Sequence, residues 1–160
     1  MDKKLKIAFV CTGNTCRSPM AAFMLKDELK RRKIKGVTVT SFGLNPTEKE
    51  INPYAKQELE RLNVKITAFK PKKLTKSFAL KQDALICVTE EIKNELIKAQ
   101  IENAYSFKEL FGEELFDPYG KGKEAYADCA AKLKNYAAEL ADMITEIIDD
   151  ERRKNGGIIK

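Results

Sequence analysis

Near its amino terminus the chain reads Cys11-Thr12-Gly13-Asn14-Thr15-Cys16-Arg17-Ser18-Pro19, a cysteine followed after five residues by an arginine and then a serine. A loop of that length can turn the backbone N–H groups of Thr12, Gly13, Asn14, Thr15 and Cys16 toward one tetrahedral oxyanion, and a helix beginning at its end adds partial positive charge. Gly13 and Asn14 are residue types that tolerate the left-handed backbone angles such a cradle requires. The same setting activates a cysteine. An ordinary thiol titrates near ~8.5, and a helix N-terminus with an adjacent arginine lowers that to roughly 3.5–7.5, so Cys11 is expected mostly as thiolate at neutral pH. Arg17 offers a planar fork that matches two phosphate oxygens at once, which a lysine cannot do. The chain contains no histidine, so acid or base chemistry falls to carboxylates, thiols or amines.

A loop of this kind acts only if regular elements hold it, and the flanking sequence supplies them. Lys6 to Val10 is a short apolar run, and Pro19 to Lys33 then repeats Ala22, Leu25 and Leu29 at helical spacing, with Pro19 suited to a first turn and Ser18 a candidate cap. Val37 to Phe42 reads as a second strand closed by Gly43, Asn52 to Asn63 as a helix, Asp83 to Val88 as a third strand and Glu90 to Ala99 as a short helix. Ala104 to Phe107 is a weaker fourth strand. A long helix is expected from about Gly122 to Glu151, where Ala130, Leu133, Ala137, Leu140, Ile144 and Ile147 keep one face apolar, with Arg152 to Lys160 a fraying tail. Strands alternating with helices predict an α/β fold: one doubly wound, four-stranded parallel sheet with helices on both faces. Ligands in such sheets bind at the carboxyl ends of the strands, which places the loop after the first strand where a site is expected.

With 160 residues, 43% hydrophobic and 34% charged, residues 1–160 suit a single domain able to bury a core without metal or disulfides. The apolar run before Cys11 is too short for a signal peptide or a membrane span, so a cytoplasmic protein without membrane contact is expected. Cys11, Cys16, Cys87 and Cys129 then read as thiols, and they show no zinc spacing. The net charge of +6 gathers in clusters at Lys30 to Lys35, Lys70 to Lys76 and Arg152 to Lys154, favouring anionic partners while also serving as solvated faces. No basic motif interleaved with aromatics is present, which argues against nucleic acid.

The loop, taken with Asp117-Pro118-Tyr119 late in the chain, resembles the low-molecular-weight protein-tyrosine-phosphatase family over nearly the whole length and element order. The resemblance implies that Cys11 attacks phosphorus to form a phosphocysteine, that Arg17 binds the equatorial oxygens, and that Asp117 protonates the leaving oxygen and later takes a proton from water. It implies no metal and no cofactor, a phosphorylated protein as substrate, and phosphate or another oxyanion as loop ligand. Asn14 and Ser18 would hold the loop and stabilise the thiolate, and Ser41 would hydrogen-bond to Asn14. Cys16 would be able to form a reversible disulfide with Cys11, protecting it from irreversible oxidation. A small-residue role in the loop is the other reading of Cys16.

Departures from the family pattern bear on the substrate. Many members carry a second aromatic after Asp-Pro-Tyr, where this chain has Gly120, and an aromatic after the second strand, where it has Leu44-Asn45-Pro46-Thr47. The family's histidine near the second helix is absent, and its replacement is expected within Thr67 to Lys70. Tyr119 as one aromatic wall favours phosphotyrosine. Thr15, at a loop position often aliphatic in tyrosine-directed relatives, resembles protein arginine phosphatases of the same superfamily, the alternative reading. Thioredoxin-coupled arsenate reductases share the loop, but their relay needs two close cysteines after the third strand, where this chain has only Cys87 in an apolar run. A phosphopeptide-binding module would need neither Cys11 nor Asp117.

Overall fold

A computed structural model describes the backbone of residues 4–159 and the side chains of residues 4–155. Four strands, β1 (Leu5–Cys11), β2 (Val37–Gly43), β3 (Ala84–Cys87) and β4 (Ala104–Ser106), form one sheet in the order β2-β1-β3-β4. Every adjacent pair is parallel. The helices are α1 (Arg17–Arg31), α2 (Pro53–Arg61), α3 (Lys76–Leu80), α4 (Glu90–Lys98), α5 (Phe107–Phe111) and α6 (Lys123–Ile159).

The expected doubly wound sheet is therefore the one observed. From β1 the chain crosses to β2 on one side, and from β3 to β4 on the other. Right-handed crossovers running in opposite directions place their helices on opposite faces. In-register Phe9 and Ser41 face the α1 side, whereas Phe42 faces the other, where Phe78 of α3 stacks on it at 5.6 Å. The sense of winding reverses between β1 and β3, and the crevice at their carboxyl ends is where the Cys11 loop emerges.

Two boundaries differ from expectation. The first helix begins at Arg17, and its N-cap is Cys16 with no side-chain cap; Ser18 is not the cap because its hydroxyl is turned to the Cys11 sulfur. Helix α6 continues to Ile159, past the end expected at Glu151, so the segment read as a fraying tail extends the helix; Lys160 lies outside the described residues. Two short helices had no sequence signal strong enough to predict them. In α3, Thr75 caps the Phe78 amide; in α5, Ser106 and Glu109 form a reciprocal capping box. Asn52 is the cap of α2, its side chain accepting from Tyr54 N at 2.9 Å, with Pro53 in the first turn.

The core has two contributors on the α1 face. Along α6, buried Ala130, Leu133, Ala137, Leu140, Ala141 and Ile144 hold the helix against α1. Beside them, fully buried Phe107 packs edge-on against Phe9, Phe111 and Tyr136, with centroids 6.3, 5.1 and 5.7 Å away.

Candidate active site

The loop between β1 and α1 wraps around the Cys11 sulfur. Cys11 is 3% exposed; its Sγ accepts the Asn14 amide N–H at 3.2 Å and lies 2.8 Å from the Ser18 hydroxyl. Asn14 makes that approach possible by adopting φ +56°, the left-handed region in which asparagine is tolerated. Gly13 has no positive φ, so only Asn14 uses the expected backbone freedom.

Asn14 also locks the loop from behind. Its fully buried Nδ2 donates to Ser18 Oγ at 2.8 Å and to Ser41 Oγ at 2.9 Å, while its Oδ1 accepts from the backbone N–H of Lys72 at 2.9 Å. The hydrogen-bond support sought in Thr67 to Lys70 thus comes from the main chain of Lys72. No side-chain pattern signals a backbone donor, which is why the sequence did not reveal it. Gly43, at the end of β2, lies against the same loop: Leu44 N donates to the Cys11 carbonyl at 3.0 Å and Asn45 N to the Thr12 carbonyl at 2.8 Å.

Arg17 reaches the site from the first turn of α1. Its guanidinium, 9% exposed, donates through Nη1 to the Leu115 carbonyl at 3.0 Å and holds Nη2 3.8 Å from Asp117 Oδ2. A chain of backbone contacts brings the distant Asp117 here. Val88 N donates to the Val10 carbonyl, and Leu115 N donates to the Val88 carbonyl, both at 3.1 Å. Residues 115–119 are thereby docked beyond the ends of β1 and β3. The Asp117 carboxylate is 54% exposed, and its Oδ1 accepts from Tyr119 N at 3.1 Å. Tyr119 projects into solvent with 62% of its surface exposed.

Thr15 and Cys16 form the buried far wall of the loop. The Cys16 sulfur lies 3.2 Å from the Tyr126 hydroxyl of α6 and 3.8 Å from the Thr15 hydroxyl. Burial pushes its thiol up, a rise only partly opposed by the Tyr126 contact. Cys11 and Cys16 are both free thiols, turned to separate partners. Cys87 and Cys129 are buried and their thiols pushed up to about 12 by burial, consistent with Cys87 as a packed strand residue.

Sequence reasoning missed Tyr54. The cap at Asn52 bonds α2 directly to the loop, Asn52 N donating to the Thr15 carbonyl at 2.9 Å. Tyr54 then sits over Tyr126 at 5.4 Å between centroids and stays 43% exposed, a second aromatic surface beside the loop. The Asn-Pro pair was its available signal, since it fixes where the first turn of α2 starts.

The loop thus holds the Cys11 sulfur against the Asn14 N–H, and the paired Arg17 and Asp117 lie on the same carboxyl edge of a doubly wound sheet. The chain belongs to the low-molecular-weight phosphotyrosine protein phosphatase family, whose sequence profile matches residues 6–153. Among similar proteins, the low molecular weight protein-tyrosine-phosphatase PtpB of Staphylococcus aureus is 30% identical over 148 residues, covering 88% of this chain and 99% of the relative. A protein-arginine-phosphatase of Geobacillus stearothermophilus is 28% identical over 146 residues, covering 87% and 95%. The solved YwlE arginine phosphatase from Geobacillus stearothermophilus superposes with a TM-score of 0.79 at 27% identity, covering 94% of this chain and 96% of that one. A solution structure of a low molecular weight protein tyrosine phosphatase from Bacillus subtilis gives 0.80 at 27% identity, covering 89% and 98%. No helix among the described residues is long and apolar enough to cross a membrane.

Proposed function

We propose that this chain is a cysteine-dependent protein phosphatase that hydrolyses phosphotyrosine through a phosphocysteine intermediate. The observation carrying the proposal is the convergence on one loop of a sulfur accepting an N–H at 3.2 Å and a guanidinium whose Nη2 is 3.8 Å from a solvent-facing carboxylate. In the first step the Cys11 thiolate forms a bond to phosphorus while the ester P–O bond breaks and protonated Asp117 gives its proton to the leaving oxygen. In the second, water attacks phosphorus, Asp117 takes a proton from it, and the P–S bond breaks to release inorganic phosphate and restore the thiolate. The Arg17 fork and the amides of Thr12, Gly13, Asn14, Thr15 and Cys16 would hold the equatorial oxygens, offsetting charge that builds up as phosphorus is transferred. A structure similar at 25% identity, a YwlE arginine phosphatase variant, carries a phosphorylated active-site serine. That supports a phosphoenzyme at the nucleophile position.

Tyr119 and Tyr54, both exposed beside the loop, favour an aromatic leaving group lying between them. Thr15 favours a second reading, phosphoarginine. Thr15 is 8% exposed, with its hydroxyl in the loop wall, and Gly120 leaves Tyr119 without an aromatic successor. The deciding experiment compares phosphotyrosine and phosphoarginine peptides as substrates for wild type and Thr15→Ile, with Cys11→Ser as control. The proposal expects phosphotyrosine to be preferred by wild type and the Cys11→Ser variant to be inert. A wild-type preference for phosphoarginine, lost in Thr15→Ile, replaces it with the second reading, and near-normal turnover by Cys11→Ser removes both.

A further inference from the structure

Behind the catalytic loop, at the β2 edge of the sheet, lies a cavity of about 290 Å³ whose lining includes Lys26, Thr40, Ser41, Thr67, Lys70 and Lys72. Three lysines and three hydroxyl-bearing residues are among those that line it. The Lys72 Nζ has a hydroxyl as partner, Thr40 Oγ1 at 2.6 Å, and otherwise lies 4.9 Å from the Phe42 ring centroid. Lys26 Nζ lies 5.3 Å from the Phe23 ring centroid. Among the described residues no carboxylate is within ion-pair distance of Lys26, Lys70 or Lys72: the neighbouring Asp27 is taken by Arg31 at 2.9 Å, and Glu28 by Arg31 and Arg32. Partial desolvation and then the charge of Lys26 lower the Lys72 ammonium, and partial desolvation lowers Lys26, although both side chains remain exposed to solvent. Like charges held close in a concavity with no counter-charge leave a demand that an anion satisfies.

We propose that this cavity is a binding site for a small molecule bearing a phosphate or sulfate group, distinct from the catalytic loop. Its size is at the small end for ligand pockets and suits one anionic group with a compact substituent. A tetrahedral dianion would take charge-assisted hydrogen bonds from Lys26 and Lys72 and further ones from the Thr40 and Thr67 hydroxyls. The site also communicates with the loop through Asn14. The Ser41 hydroxyl that lines the cavity accepts from Asn14 Nδ2, and the backbone of Lys72 donates to Asn14 Oδ1. An anion gripping the Lys72 side chain would therefore act on the residue whose N–H is bonded to the Cys11 sulfur. Binding at this site does not depend on the proposed phosphatase reaction.

The test is titration of isotopically labelled full-length protein with sodium sulfate, at constant ionic strength and with vanadate saturating the catalytic loop, followed through backbone amide signals. Signals of Thr40, Ser41, Thr67 and Lys72 are expected to move together along one binding curve. The Lys26→Gln/Lys72→Gln double variant should weaken that curve by about tenfold or more, while Lys30→Gln leaves it unchanged. The same titration with inorganic pyrophosphate and with phenyl phosphate distinguishes a free inorganic anion from an anionic group carrying an organic substituent as the better fit. Shifts confined to Thr12–Ser18, no saturation at Thr40 and Thr67, or equal affinity in the double variant would overturn the proposal.

Discussion

The Cys11 sulfur contacts the Asn14 N–H and the Ser18 hydroxyl; at Cys16, Cys87 and Cys129 burial opposes ionisation. Burial keeps a thiol protonated until the pH climbs to its raised pKa, so Cys87 and Cys129, at about 12, stay neutral throughout the physiological range. Iodoacetamide near neutral pH is therefore expected to modify Cys11 first, with phosphate protecting it. Cys87 and Cys129 should react only after denaturation, and peptide mapping that finds either of them labelled first in native protein would contradict the packing. Asp117 has a different signature. As the proposed proton donor it would matter in proportion to the basicity of the leaving oxygen. Asp117→Asn should slow alkyl or unactivated aryl phosphates by roughly 10²–10⁴ and activated aryl phosphates much less; equal losses across a leaving-group series would assign Asp117 to binding instead of proton transfer.

At the level of elements, β2 presses on the catalytic loop at one point. A Cβ on Gly43 would lie 2.7 Å from the Thr12 carbonyl oxygen, 3.0 Å from Asn14 Cβ and 3.0 Å from Asn14 N. Two of these three atoms are backbone, so no rotamer change relieves the clash. Gly43 is also fixed on its other side, donating to the Lys72 carbonyl and accepting from Leu74 N, each at 2.9 Å. Gly43→Ala must therefore displace the loop. Overpacking of this kind costs about 1–3 kcal/mol, a part of the stability that most domains tolerate. The expected result is a folded protein whose melting temperature drops by several degrees and whose affinity for vanadate falls about tenfold or more. Unchanged vanadate affinity in a destabilised Gly43→Ala protein would show that the glycine serves packing alone.

For the molecule as a whole, the site depends on a core that ties late sequence to early sequence. Phe107 is fully buried where β4 passes into α5, and its ring meets Phe9 of β1 and Tyr136 of α6. Replacing a buried phenylalanine by alanine removes apolar burial and leaves a cavity, typically costing about 3–5 kcal/mol. Against a total of roughly 5–15 kcal/mol, Phe107→Ala should bring the urea midpoint sharply down without altering chemistry in the fraction that remains folded. A midpoint within error of wild type would mean that the cluster adds little. The basic residues act on this scale too, through the net charge of +6, which attracts acidic partners without selecting among them.

Local pattern determined a great deal of this protein. The sheet class followed from strands alternating with amphipathic helices, and the loop followed from Cys11, Asn14, Arg17 and Ser18 lying within one short segment between a strand and a helix; such contacts need no long-range closure. The helix caps Thr75 and Ser106 were overlooked because their helices are too short to show a period. Tertiary structure alone decided the pairing of Arg17 with Asp117, which rests on the hydrogen bonds Val88 to Val10 and Leu115 to Val88. It also decided the backbone donor at Lys72, the approach of Gly43 and the gathering of Lys26 with Lys72 around one cavity. Main-chain groups are the same in every residue and close approaches depend on how strands and helices stack, so neither leaves a mark in the order of side chains.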